Sequence, residues 1–181
     1  MEPRVDWFAG FAVAAVLLFP IGSNAVRSET RAKYNEMRER LKIPIMPPGW
    51  LFGPVWFVLY LLMTVALVLW SAVPEPEQHG ALWVWTWIMF IINVFFNKIW
   101  NPLFFDANGG RGWPMVAAVD AWLILLTAVT VLVLFCLAPT FSTVAVVFWS
   151  VYVAWSAYAA ILSTWIAVRN RGFVELSTQD M

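Results

Sequence analysis

A chain of 181 residues that is 62% hydrophobic and 12% charged carries more apolar surface than a soluble core of that length can hide, and the composition is that of an integral membrane protein. Its 11 basic residues are balanced by 11 acidic ones, which removes the electrostatic footprint that nucleic-acid binding needs. Cys136 is the only cysteine and His79 the only histidine, so no intramolecular disulfide, no haem between paired histidines and no metal site is expected.

The first apolar run, 7–22, is short for a span; Glu2 and Asp6 dilute the basic start of a cleaved signal peptide, so it is read as a helix. Residues 23–49 interleave Arg27, Arg31, Lys33, Arg38, Arg40 and Lys42 with Glu29, Glu36 and Glu39, a solvated loop with room for a short surface helix. Its plainest role is to anchor topology. Further spans are expected at 51–73, 81–105, 113–137 and 141–168, each longer than the ~20 residues that cross a bilayer. They are joined by the polar stretch ending at His79, a Gly- and Asn-rich turn at 106–112 and Ala138-Pro139, and 169–181 reads as a polar tail. The fold class is all-α, a single domain over 1–181 built as an integral membrane bundle of five transmembrane helices. Five spans place the termini on opposite faces. The first loop carries six basic residues, and Arg111, Arg169 and Arg171 join them on the same side, against Arg4 alone on the other. By the positive-inside rule that loop and the C-terminus face the cytoplasm.

The second span opens abruptly. Pro47, Pro48 and Pro54 lack amide donors, which a first helical turn tolerates and a helix middle does not, so the helix begins near Trp50. Phe52, Trp56, Tyr60 and Met63 then share one face, with Trp56 roughly 9 Å in. This reads as an aromatic wall beneath a rigid lid; interfacial anchoring is the competing reading and suits Trp50 best. Lys98 lies seven residues before Phe105 and Asp120 seven after Trp113, so an antiparallel hairpin puts both ~10 Å below one interface. An intramembrane ion pair between Lys98 and Asp120 is expected from this depth match, since lone charges at depth are costly. The alternative is that Lys98 snorkels to the headgroups, for which Asp120 is too short. Asn93, Asn97, Trp100 and Asn101 form a polar stripe on the third span, with Tyr152, Trp155, Tyr158 and Ala159 on the fifth. Together they outline a largely apolar pocket with a few polar groups in the cytoplasmic half.

These segments resemble the tryptophan-rich sensory protein/translocator protein family (TspO/MBR, the peripheral benzodiazepine receptor family). The stretch from Pro47 to Tyr60 is similar to the family's second-helix opening, Asn97-Lys-Ile-Trp-Asn-Pro-Leu-Phe-Phe105 to its third-helix ending, Val119-Asp120 to its fourth-helix acidic position, and Tyr152-Val-Ala-Trp155 with Ala159 to its fifth-helix signature. The resemblance covers all five spans in order. It implies a five-helix bundle, commonly dimeric, in a bacterial inner or mitochondrial outer membrane, that binds porphyrins as ligands rather than cofactors and, in some members, cholesterol. Carried over by position, Trp50, Trp56, Tyr60, Asn97, Trp100, Trp155 and Ala159 would line the pocket. Light-dependent porphyrin breakdown, with Trp56 and Trp155 as the catalytic residues, is the enzymatic alternative, and a ligand-free membrane scaffold is a third. The chain departs from the family at Ile45-Met46, where a lid tryptophan is common, and at Lys98, which replaces a neutral residue. Leu162-Ser163-Thr164 lacks the tyrosine of the proposed cholesterol motif.

Overall fold

The computed structural model describes residues 28–71, 80–105, 114–138 and 142–179. The expected first span at 7–22, His79 and the turn at 106–112 lie outside the described residues. The described elements are α1 (Ser28–Leu41), a 3₁₀ turn (Gly49–Leu51), α2 (Phe52–Ser71), α3 (Ala81–Phe105), α4 (Pro114–Leu137) and α5 (Thr143–Gln179). Among the described residues four stretches are long and apolar enough to cross a bilayer: Gly49–Ser71, Ala81–Phe104, Pro114–Leu137 and Thr143–Arg169. The protein is an all-α integral membrane bundle, and these four agree with the second to fifth spans expected from the sequence.

Local chemistry accounts for the boundaries. Pro48 is extended, at φ −64° and ψ 143°, and hands the chain to the 3₁₀ turn; Pro54 falls in the first turn of α2, where its missing amide costs nothing. Lys42 ends α1 in the left-handed region at φ 49°, and its amide donates to the Arg38 carbonyl at 3.0 Å, the bond that closes a helix with a left-handed residue. Beyond the last span, from Arg169, the backbone of the polar tail continues as helix to Gln179, since Gly172 alone interrupts that stretch and no proline stops it. At ~1.5 Å per residue α5 is longer than the ~30 Å hydrocarbon core, so it projects beyond the bilayer.

Burial is inverted relative to a soluble protein. Thr86, Asn93, Asn97, Asp120, Thr127, Ser156 and Ser163 are buried, while Ile91, Phe95, Val119, Leu126, Val147 and Val168 are exposed. Lipid solvates the second set, and the first must find partners inside the bundle because hydrocarbon offers none. Buried Ala117, Ala121, Ala128, Ala145 and Ala160 let α4 and α5 approach closely, and Trp149 pins them by donating Nε1–H to the Ala128 carbonyl at 2.8 Å.

The packing order is not the chain order. α3 packs on α4, α4 on α5 and α5 on α2, with α1 and the 3₁₀ turn across the ends of α2 and α5. The backbones of α2 and α3 make little direct contact, so these consecutive helices meet through long side chains. At one end Trp70 stacks on Trp83 and meets Trp87 edge-on, with centroids 6.5 Å away in each case; farther along, Tyr60 reaches Asn97.

Candidate aromatic site beneath the lid

The polar stripe on α3 is the floor of the site. Tyr60 on α2 donates its hydroxyl to Asn97 Oδ1 at 2.8 Å, Asn97 Nδ2 donates to the Tyr152 hydroxyl at 3.2 Å, and that hydroxyl donates to Asn93 Oδ1 at 2.8 Å. Asn93 Nδ2 then donates to Thr127 Oγ1 at 2.8 Å and to the Ile124 carbonyl at 2.9 Å. One string of bonds therefore joins α2, α3, α5 and α4. Asn93 and Asn97 stand four residues apart, one turn of α3, so a single face serves the whole string. Each such bond between membrane helices contributes on the order of 0.6 kcal/mol.

Above the floor, toward the start of α2 and the end of α3, the walls are aromatic. Trp56 lies against Tyr60 with ring centroids 5.2 Å apart, and Phe52 meets Trp155 edge-on at 6.3 Å. Trp155 in turn lies against Tyr158 at 5.0 Å, and on α3 Trp100 stacks on Phe104 at 4.6 Å. Ala159, one turn beyond Trp155, is half-buried and leaves that face small. The indole Nε1 of Trp155 is buried without a hydrogen-bond partner, an unused donor in an otherwise apolar wall.

The roof is α1 with the segment that follows it. Tyr34 and Leu41 are buried while Arg31, Arg38 and Arg40 face outward, and Tyr34 meets Phe52 edge-on at 5.1 Å and Phe104 at 6.4 Å. Four bonds hold the following segment closed. Tyr34 donates to the Pro47 carbonyl at 3.0 Å, Arg38 Nε to the Met46 carbonyl at 2.9 Å, Tyr158 to the Ile45 carbonyl at 2.7 Å, and the Gly49 amide to Asn35 Oδ1 at 3.1 Å. A Cβ at Gly49 would sit 3.1 Å from both Asn35 Oδ1 and Tyr34 Cδ1, so any larger residue would make these side chains give by a few tenths of an ångström. Burial, and secondarily the neighbouring Tyr158, push the Tyr34 phenol well above its ordinary value, against a smaller opposing effect of Arg38.

Of the residues singled out, Tyr60 bonds Asn97 and lies against Trp56, Trp100 stacks on Phe104, and Trp155 meets Phe52. Trp50 does not join them. It is 58% exposed on the 3₁₀ turn, because Leu51 and Phe52 take the inward positions, and it stands where an interfacial anchor would.

The expected ion pair is not formed. The buried ammonium of Lys98 has no hydrogen-bond partner and neither does Asp120 Oδ2; Lys98 Nζ instead sits 5.3 Å from the centre of the Tyr60 ring. Lys98 follows Asn97 by ~100° of helical rotation and swings toward α2, whereas Asp120 is on α4, packed between α3 and α5. Pro102 lies inside α3 and has no amide, so it cannot bond the Lys98 carbonyl four residues back, and α3 is weakened at this level. A charge in this setting costs at least ~2.5 kcal/mol on insertion scales, of which a cation–π contact returns ~0.5 to 2 kcal/mol.

Sequence reasoning missed the lid latches. Tyr34, Met37 and Leu41 recur at spacings of three and four within the charged loop, the pattern that would have marked α1 as a docked amphipathic helix. Among the described residues no three His, Cys, Asp or Glu side chains cluster as metal ligands.

Residues 9–169 match the TspO/MBR family. The chain belongs to that family. Protein CrtK of Rhodobacter capsulatus is 28% identical over 113 residues, 62% of this chain and 66% of that protein. Tryptophan-rich protein TspO of Chlorobaculum tepidum is 28% identical over 126 residues, 68% of this chain and 72% of the relative. The TspO of Bacillus cereus is 29% identical over 119 residues, 65% of this chain and 69% of the relative. The family match runs over the lid, the aromatic walls and the polar floor, so this TspO/MBR member carries the site within its family-defining region.

Proposed function

We propose that this TspO/MBR protein is a membrane sensor or transport accessory that binds porphyrins between the aromatic walls and beneath the α1 lid. The observation that carries this reading is the arrangement of Phe52, Trp56, Tyr60, Trp100 and Trp155 above a hydrogen-bonded floor, with a roof held by side chains on backbone carbonyls. Flat apolar faces suit a macrocycle, and latches that involve no backbone ladder open without unfolding a helix. The basic outer face of α1 supports a cytoplasmic position for the lid. Homodimer formation is part of the same reading and rests on family membership. The test is a titration of purified protein with protoporphyrin IX, followed by tryptophan fluorescence. Quenching should saturate at one ligand per chain; linear, non-saturating loss would mean a scaffold that merely absorbs an apolar dye.

A second reading is light- and oxygen-dependent porphyrin breakdown. It is supported by two pairs of oxidisable rings, Trp56 with Tyr60 on α2 and Trp155 with Tyr158 on α5. Under illumination in oxygen, Trp56→Phe or Trp155→Phe should slow bleaching of bound porphyrin while changing affinity by less than about tenfold. Equal loss of binding and bleaching would make these residues walls only.

A further inference from the structure

We propose that Lys98 is the anion-receiving group of this site, and that the ligand this protein selects carries a carboxylate at the edge of a flat apolar body. The inference rests on the tetrapyrrole reading and narrows it to the acid forms. Three observations carry it. The Lys98 ammonium is buried with all three donors unused, and it stands 5.3 Å from the ring centre of Tyr60, a residue of the floor and of the Trp56 wall. Among the described residues the membrane spans hold one carboxylate, Asp120, and it makes no hydrogen bond to Lys98, whose Nζ has no partner. Lys98 also lies where α2 and α3 meet through side chains rather than backbone, so its surroundings can rearrange without parting two packed helices.

The chemistry follows from those facts. An ammonium on a flexible four-carbon stem can leave a ring face and turn toward a better acceptor. A carboxylate supplies both the opposite charge and the hydrogen-bond acceptors that the ring lacks, and such charge-assisted bonds are about twice as strong as neutral ones. Asn97 is a poorer receiver: its Oδ1 accepts from Tyr60 and its Nδ2 already donates to Tyr152, and the remaining N–H carries no charge to oppose a carboxylate. The neutral floor therefore holds the helices together, and Lys98 remains to choose the ligand.

The experiment compares protoporphyrin IX with its dimethyl ester, the same macrocycle without the acids, on wild type, Lys98→Met and Lys98→Arg in neutral detergent at pH 7. Wild type should bind the acid about tenfold more tightly than the ester. Lys98→Met should abolish that preference by weakening binding of the acid relative to the ester, and Lys98→Arg should keep it. Equal binding of acid and ester by wild type, or a preference that survives Lys98→Met, overturns the inference while saturable binding leaves the tetrapyrrole reading standing. A second pair, 1-pyrenebutyrate and its methyl ester, separates the two ideas. A Lys98-dependent preference for the pyrene acid without saturable porphyrin binding would sustain the carboxylate site and remove the tetrapyrrole reading; no saturable binding of any probe would remove both. The melting temperature of Lys98→Met should not fall, because an unpaired charge is removed, so a loss of preference in that variant is not a loss of fold.

Discussion

Tyr152 and Tyr158 sit six residues apart on α5 and should respond differently to loss of a hydroxyl. Tyr152→Phe strands Asn93 Oδ1 and Asn97 Nδ2 in the bundle interior, and a buried group deprived of its partner costs about 1–3 kcal/mol. Tyr158→Phe removes a single latch on the Ile45 carbonyl. The expected outcome in thermal melts is a clear destabilisation for Tyr152→Phe and a small one for Tyr158→Phe, with ligand release from the Tyr158 variant accelerated in stopped-flow dilution. Lys98 and Asp120 supply the second residue-scale prediction. Because they do not meet, Lys98→Met and Asp120→Leu should change stability additively to within ~0.3–0.5 kcal/mol; a double variant that recovers a loss seen in the singles would show that the ion pair forms. The site was legible in part. The Asn93, Asn97 and Trp100 stripe and the Phe52, Trp56, Tyr60 face follow from helical period alone. The partner of Lys98 did not, because period and span length give depth, whereas pairing depends on which neighbour each helix turns toward.

At the scale of elements, the lid is the part most exposed to change of pH. The Tyr34 phenol ordinarily titrates near 10.0 and is held above that when the lid is closed. The docked form therefore keeps its proton after the undocked form has lost it, so fewer protons are bound in the open state and docking weakens as pH rises above about 10. Below that pH both forms are protonated and the contribution is constant. Lid opening, read by fluorescence from a label on the exposed face of α1, should increase from about pH 10 upward, and Tyr34→Phe should flatten the response. A response that persists in Tyr34→Phe would assign it to another group. The lid latches end on the carbonyls of Ile45, Met46 and Pro47. Backbone acceptors are the same at every residue, so nothing in the sequence distinguishes them.

For the whole molecule, orientation has a direct test. In a Cys136→Ser background, a cysteine at exposed Glu36 on α1 should react with an impermeant maleimide only when the cytoplasmic side is accessible, as the distribution of basic residues requires; labelling from the opposite side would invert the topology. The sequence by itself determined that this is an all-α membrane bundle and where its second to fifth spans lie, because a bilayer imposes a minimum length and a composition on any helix that crosses it. It also determined the inward faces of α2 and α3, since side-chain direction along a helix follows from period. Only the tertiary structure decided that α5 stands between α2 and α4, that α2 and α3 meet through side chains, that Trp50 points out and that Lys98 faces Tyr60 rather than Asp120. Those outcomes depend on which helices pack together and at what rotation, and the balance of many weak contacts between surfaces distant in the chain sets both.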